Sequence, residues 1–193
     1  ARVVLDDEGK NLVLRKIAGE CEKDLKVFKG NLKKQGYISE VKSVLSEFAQ
    51  YGVDFERLDD FMKEVPPESY LHYKLDDIRT IYEKFEEYLS EKYITKEEML
   101  DVLSDAVPYS DILKGSVVAM DGFTGFTPVQ NRLIGELFSV CEKVMITVTM
   151  DGRENPYVYE HPYQIFALGK QMVTSLMKIA GEKKTEIEEP ICL

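Results

Sequence analysis

The chain has 193 residues, with 25 Lys and Arg against 35 Asp and Glu, a net charge of −10 and 44% hydrophobic residues. That length suits one domain, or one domain with a substantial insertion; the apolar content excludes wholesale disorder, and no apolar run approaches the ~18 residues of a membrane span. Three separated cysteines (Cys21, Cys141, Cys192) and two histidines (His72, His161) exclude a disulfide framework, a zinc spacing and a His-rich metal site, while the acidic balance argues against gripping nucleic acid by phosphate neutralisation alone.

No signal peptide is expected before the first helix, and a reduced, cytosolic protein is the default. The start at Ala1 without a Met and the strand-like end at Leu193 read as an excised piece of a longer chain. The first part is expected to be helical. Asp6 and Asp7 can cap a helix whose apolar stripe runs Leu14, Ile17, Cys21, Leu25, Phe28, closed by Gly30 and the polar segment 31–36. A second helix is expected from near Ser39, with Val41, Val44, Leu45 and Phe48 inward and Gly52 as its stop. Asp54 then caps a short helix with Leu58, Phe61 and Met62 inward, ended by Pro66-Pro67.

The strongest periodic signal is Leu71, Leu75, Ile78, Tyr82, Phe85, Leu89, spaced alternately four and three residues apart. Fewer than three heptads indicate a long helix packed in a bundle rather than a coiled coil. On it, Asp76-Asp77 and Glu86-Glu87 fall on the solvent side, so no catalytic carboxylate pair is expected there. Thr95 and Glu98 have the spacing of a capping box, with Ile94 and Met99 as a hydrophobic staple, and Leu100, Val102 and Leu103 belong to the helix that follows.

From residue 115 the pattern changes. Residues 116–120 form a short apolar run ending in Asp121-Gly122, a buried strand feeding a turn. Thr127-Pro128-x-Gln130 opens a helix as a capping box with Pro at the first helical position, and its inner face is Leu133, Ile134, Leu137, Phe138 and Cys141. Residues 143–150 form a second buried strand, so strand, helix and strand make a βαβ unit with parallel strands. A last helix is expected from His161-Pro162 to Gly181 through Ile165, Leu168, Met172, Leu176 and Ile179. The tail 185–193 is a further candidate strand, after a mixed-charge loop at 182–189. The expected fold is therefore a predominantly helical α/β chain: a helical region over 1–114, and a partial three-layer α/β lobe over 115–193.

Chemistry concentrates at 117–130. An apolar strand ending in Asp has the form of the second phosphate-site motif of nucleotide-dependent motors, where the carboxylate holds Mg²⁺ at the carboxyl edge of a parallel sheet. The segment resembles superfamily 1 helicases, in which the strand continues Asp-Glu-x-Gln-Asp with a later Gln. Asp121, Phe123, Pro128 and Gln130 keep that pattern. Gly122 stands where the Glu would orient the attacking water, Thr124 replaces the Gln, and Gly125 the second Asp. This looks like a degenerate Walker B motif (Asp121, Gly122, Gln130) without its catalytic base. The plain alternative is ordinary turn punctuation, in which Asp121 is a turn residue, Gln130 a cap, and Phe123 and Phe126 packing. Aromatics on an open turn are also what single-strand binding uses, since stacking tolerates any base sequence. Lys23, Lys26, Lys29, Lys33 and Lys34 form a small basic patch, read as a solvated face that could also touch phosphates. No phosphate-binding loop and no nuclease-like carboxylate cluster occurs in the sequence.

The run Val118 to Gln130 resembles the Asp-Gly-Phe-x-x-Phe-Thr-Pro-x-Glu/Gln signature of the AddB (RexB) family, the B subunits of bacterial AddAB ATP-dependent helicase–nucleases. Residues 9–17 are similar to a helix following that family's early helicase motifs, residues 74–78 with Tyr82 to its Lys-Leu-x-Asp-hydrophobic segment, and residues 93–103 to a stretch ending in a Leu-rich turn. The resemblance implies the amino-terminal, helicase-like region of such a protein: a 1B-like helical insertion over 1–114 joined to a partial RecA-like lobe over 115–193. It implies a role in DNA double-strand-break repair and homologous recombination, in which this half does not translocate but reads a recombination hotspot (Chi) on the exiting single strand. By position, Phe123, with Thr124 and Phe126, is the implied single-stranded DNA contact; no catalytic residue and no metal ligand is implied here. An AddA-like helicase–nuclease subunit is the implied partner, together with single-stranded and duplex-end DNA. ATP with Mg²⁺ and an iron–sulfur cluster belong to the parent outside these residues, so cluster ligands are not sought at Cys21, Cys141 and Cys192. The alternatives are an acidic helical scaffold without DNA contact, to be recognised by burial of both Phe123 and Phe126, and an active ATPase lobe completed outside this segment.

Overall fold

A computed structural model describes residues 2–32, 34–90 and 92–191; Lys33 of the basic run, Cys192 and the last residue of the candidate tail strand lie outside the described residues. The chain divides into two compact units, residues 1–99 and 100–193. It is a predominantly helical α/β fold with two small parallel sheets.

In the first unit β1 (Val3–Leu5) leads into α1 (Asp7–Cys21), followed by α2 (Gln35–Tyr51), α3 (Phe55–Glu64), α4 (Tyr70–Leu89) and β2 (Tyr93–Thr95). Local chemistry sets most of these limits. The Asp6 carboxylate accepts the Gly9 N–H at 2.7 Å and starts α1. Gly52, at φ 62, ends α2 in the left-handed conformation that favours glycine. Asp54 accepts the Arg57 N–H at 2.9 Å and starts α3. Leu14, Ile17, Cys21, Ile38, Val41, Leu45, Ile78, Ile81, Phe85 and Leu89 close the core between α1, α2 and α4, the bundle that the spacing along α4 predicts.

Several expectations are corrected here. Leu25 and Phe28 are buried, but they lie beyond the end of α1, in a stretch of turns. The stripe is continuous in burial and not in helix, because α4 holds that stretch by its backbone. The Asp77 carboxylate accepts the N–H groups of Lys26, Val27 and Phe28 at 2.8, 2.7 and 2.8 Å. Asp77 is therefore 1% exposed and not on the solvent side. Phe61 and Leu71, expected inward, are exposed. β1 has no sequence expectation at all; it pairs in parallel with β2, Val3 opposite Tyr93 and Leu5 opposite Thr95.

Helix α5 (Glu98–Ala106) crosses the boundary between the units and opens with the capping box. The Thr95 N–H donates to the Glu98 carboxylate at 2.6 Å, and the Glu98 N–H to the Thr95 hydroxyl at 3.3 Å. The staple does not form, since Ile94 is buried while Met99 is exposed, as are Val102 and Leu103.

The second unit continues through a short 3-10 turn at Val107–Tyr109 to β3 (Val117–Met120), α6 (Pro128–Val140), β4 (Lys143–Ile146) and α7 (Ala167–Lys183). β3 and β4 pair in parallel, Val117 opposite Lys143 and Met120 opposite Ile146, which is the expected βαβ unit. Within this unit the strands are open on one face rather than buried on both: Val117 and Met145 are exposed. β4 stops at Ile146, four residues short of its expected end, and residues 185–191 have no regular structure. Helix α7 starts at Ala167 and not at His161. The Gln164 side-chain carbonyl accepts the N–H groups of Glu160 and His161, at 2.9 and 3.1 Å, and Phe166 sits at φ 60, so 160–166 folds as turns instead.

Candidate DNA-facing turn at the sheet edge

The turn after β3 leaves from the carboxyl edge of the parallel pair, the edge where α/β proteins place their ligands. Its first residue, Asp121, is exposed and accepts a hydrogen bond from the Thr147 hydroxyl, while the Thr147 N–H donates to the Met120 carbonyl at 3.0 Å. The two strand ends are thus tied together where the turn begins. Gly122 follows at φ 81. A Cβ built there would meet nothing within 4 Å, so conformation and not space selects glycine.

That left-handed residue sends the chain outward and leaves Phe123 41% exposed. Phe126, three residues on, is half-buried, and the two rings meet tilted at 35° with centroids 5.0 Å apart. The Phe126 carbonyl accepts the Asn131 side-chain N–H at 3.5 Å, which fixes the turn to the first turn of α6. Thr124 and Gly125 are exposed. Thr127 and Gln130 close the capping box: the Gln130 Oε1 accepts the Thr127 N–H at 2.8 Å, and the Thr127 Oγ1 accepts the Gln130 N–H at 3.4 Å. The predicted site residues therefore stand in one stretch, with Gln130 occupied at the helix cap and Phe123 presented outward.

Among the described residues no group of three or more His, Cys, Asp or Glu side chains could hold a metal ion. Cys21 is buried, its thiol donating to the Ile17 carbonyl at 3.0 Å, and burial pushes its pKa up. Cys141 is half-buried, with the Ser116 hydroxyl 3.6 Å from its sulfur. In the basic run, Lys26 is engaged by Asp76 at 2.9 Å and lies 4.8 Å from the Tyr73 ring centroid, whereas Lys23 and Lys29 are exposed.

The first unit carries a buried polar cluster that sequence reasoning missed. The Lys10 ammonium meets the Glu97 carboxylate at 2.5 Å and the Ser46 hydroxyl at 3.4 Å, and Glu86, Glu98 and Tyr82 line the same small cavity. Burial first, and then the charge of Glu98, push the Glu86 carboxyl up to about 7. Burial together with Glu86 and Glu98 pushes the Tyr82 phenol up to about 12. A periodic apolar stripe gives no sign of such a cluster, because its members come from α1, α2, α4 and the start of α5.

Comparison with known proteins adds a family. The profile described as "ADDB, N-terminal" matches residues 1–193. A curated protein of Lachnoclostridium phytofermentans, named as the B subunit of an ATP-dependent helicase/deoxyribonuclease, is 40% identical over 191 residues, covering 98% of this chain and 16% of that protein. Proteins of the same name from Thermoanaerobacter pseudethanolicus and Clostridium acetobutylicum are 33% identical over 185 residues and 30% identical over 197 residues, covering 96% and 100% of this chain and 16% of each of those proteins. The chain thus spans about one sixth of the length of the curated relatives it matches.

Proposed function

The chain belongs to the ADDB N-terminal family, and from that premise we propose that it is the helicase-like part of a helicase–nuclease protein that helps repair DNA double-strand breaks by processing duplex ends for recombination. Its own role is to hold and read the exiting single strand, including the Chi hotspot, and not to hydrolyse ATP. An AddA-like partner supplies the working motor, and the complex acts in the cytoplasm. ATP with Mg²⁺ and an iron–sulfur cluster are bound, where the parent has them, outside these residues.

The observation that carries this reading is the exposed Phe123 ring on the turn that Gly122 opens at the carboxyl edge of the β3–β4 sheet. Glycine at the place of the water-orienting glutamate removes the base that a motor needs, and the same glycine turns an aromatic toward solvent. Stacking of one base on such a ring contributes ~1–3 kcal/mol and needs no phosphate contact, which suits a chain of net charge −10. Burial of both rings would support a scaffold without DNA contact, and Phe123 is not buried.

The test is Phe123→Ala in the full-length complex, read by fluorescence anisotropy of a labelled single strand across a salt series and by the hotspot response of the nuclease. Weaker binding with a shallow salt slope and a blunted hotspot response are expected. An unchanged hotspot response would set the reading aside. ATP hydrolysis that depends on Asp121 would favour the motor alternative instead.

A further inference from the structure

The segment between β4 and α7 is long for a βα connection, and it is rich in exposed aromatics. It starts at Thr147, which is bonded to Met120 and Asp121 at the base of the Phe123 turn. It returns to the same place: a Cβ on Gly169, in the first turn of α7, would lie 3.1 Å from Val148 Cγ1 and 3.5 Å from the Thr149 carbonyl oxygen. An excursion with joined ends, held by its own side chains, has the form of loops that carry binding residues.

The loop is internally built. Arg153 pairs with Asp151 at 2.6 Å, and Lys170, itself 8% exposed, pairs with Glu154 at 2.5 Å. These pairs neutralise two of its carboxylates. Gln164 ties residues 160 and 161, and its buried Nε2 has no hydrogen-bond partner among the described residues. Against this frame Tyr157, Tyr159, Tyr163 and Phe166 are all exposed, Tyr163 at 92%. Phe166 is held at φ 60, a costly conformation for an aromatic residue, and it is still presented to solvent.

We propose that residues 151–166 form a second wall of the single-strand site, with Tyr157 and Tyr159 as base-stacking residues beside the Phe123 turn. This rests on the DNA-reading role proposed above. Three observations favour a single strand over a protein partner as the occupant. The loop shares its anchor with the Phe123 turn at the ligand edge of the sheet. Two of its three carboxylates, Asp151 and Glu154, are paired off, which lowers repulsion of phosphates. Four of its six exposed large hydrophobic residues are aromatic, three of them tyrosines, with Val158 and Ile165 as the aliphatics.

The test uses the full-length complex and a mixed-sequence single-stranded oligonucleotide carrying 5-iodouracil. Tyr157→Ala/Tyr159→Ala is expected to weaken binding on the order of tenfold, Tyr157→Phe/Tyr159→Phe to keep it, and photocrosslinks to fall within 151–166. Wild-type affinity in the alanine pair overturns the inference. If Phe123→Ala still weakens binding in that case, the Phe123 turn keeps its role and only the second wall is lost. If neither substitution weakens binding, both readings fall. Intact DNA affinity with loss of complex assembly in the alanine pair would assign the loop to a protein partner and overturn the inference as well.

Discussion

The Asp77 carboxylate accepts the backbone N–H of Phe28 at 2.8 Å, across 49 residues of chain, and takes those of Val27 and Lys26 with the same group. One side chain on α4 thereby organises the stretch after α1, and Leu25 and Phe28 reach the core without helix to carry them. Removing it leaves three donors unpaired. Asp77→Ala is expected to destabilise the first unit by about 3 kcal/mol or more, since charge-assisted bonds to partly buried donors are among the strong ones. Amide hydrogen exchange checks this directly: protection at residues 26–28 should be lost first.

The Lys10–Glu97 pair joins α1 to the residues just before α5, with side chains 3% and 15% exposed. Burial opposes the Glu97 charge, but the hydrogen bond from Lys10 holds the carboxyl below its ordinary range. Stability from this pair is therefore present above the ordinary carboxylate pKa and is lost as pH falls below it. Lys10→Met is expected to cost about 3–5 kcal/mol by stranding a buried carboxylate, and Lys10→Met/Glu97→Met to recover most of that. A double-mutant cycle in denaturant measures the coupling.

Glu86 behaves in the opposite sense. Its carboxyl is raised from the ordinary 4.5 to about 7 by burial and by Glu98. Between those values the folded chain holds a proton that the unfolded chain has released, so stability falls as pH rises from about 4.5 to about 7. Glu86→Gln is expected to flatten that decline and to raise stability near pH 8 by about 2 kcal/mol. Denaturation midpoints at pH 5 and pH 8 for both proteins decide it. A decline of equal depth in the variant would place the titration elsewhere.

What the sequence discloses divides by range along the chain. The capping box at Thr95 and Glu98, the caps at Asp6 and Asp54, the stop at Gly52 and the Thr127–Gln130 box need only a few neighbouring residues, and each is in place. The βαβ unit is legible for the same reason, since strand, helix and strand follow one another closely. The β1–β2 pairing, the burial of Asp77 and the Lys10–Glu97 bridge join residues far apart, so an acidic pair on a helix reads as solvated until its distant partners are known. At the candidate site the Asp-Gly-Phe turn is visible in the sequence. The loop at 151–166 is visible only as far as 160, because the helix-like spacing of Ile165, Leu168 and Met172 hides the turns that Gln164 and Phe166 impose.

Gly122 offers a test of the turn that removes no ring. Its φ of 81 suits glycine, and a Cβ there would clash with nothing. Gly122→Ala is therefore expected to cost about 1 kcal/mol of purely conformational strain. Relief of that strain would rotate Phe123 away from its present direction. Single-strand affinity should fall in the full-length complex while α6 and its cap stay intact, which anisotropy and circular dichroism measure together.

Gln130 matches the later Gln of the helicase-like sequence pattern, yet its side-chain carbonyl is engaged by the Thr127 N–H at 2.8 Å and its own N–H by the Thr127 hydroxyl. Reciprocal capping of this kind leaves little freedom for a ligand. Thr127→Ala is expected to cost about 1 kcal/mol, by freeing the Gln130 N–H at the start of α6. Gln130→Ala should weaken the cap by a smaller amount, because only the Thr127 N–H loses its partner. Both variants should leave ATP turnover by the full-length complex unchanged. A drop in turnover for Gln130→Ala, with none for Thr127→Ala, would separate a nucleotide contact from the cap and assign Gln130 to the former.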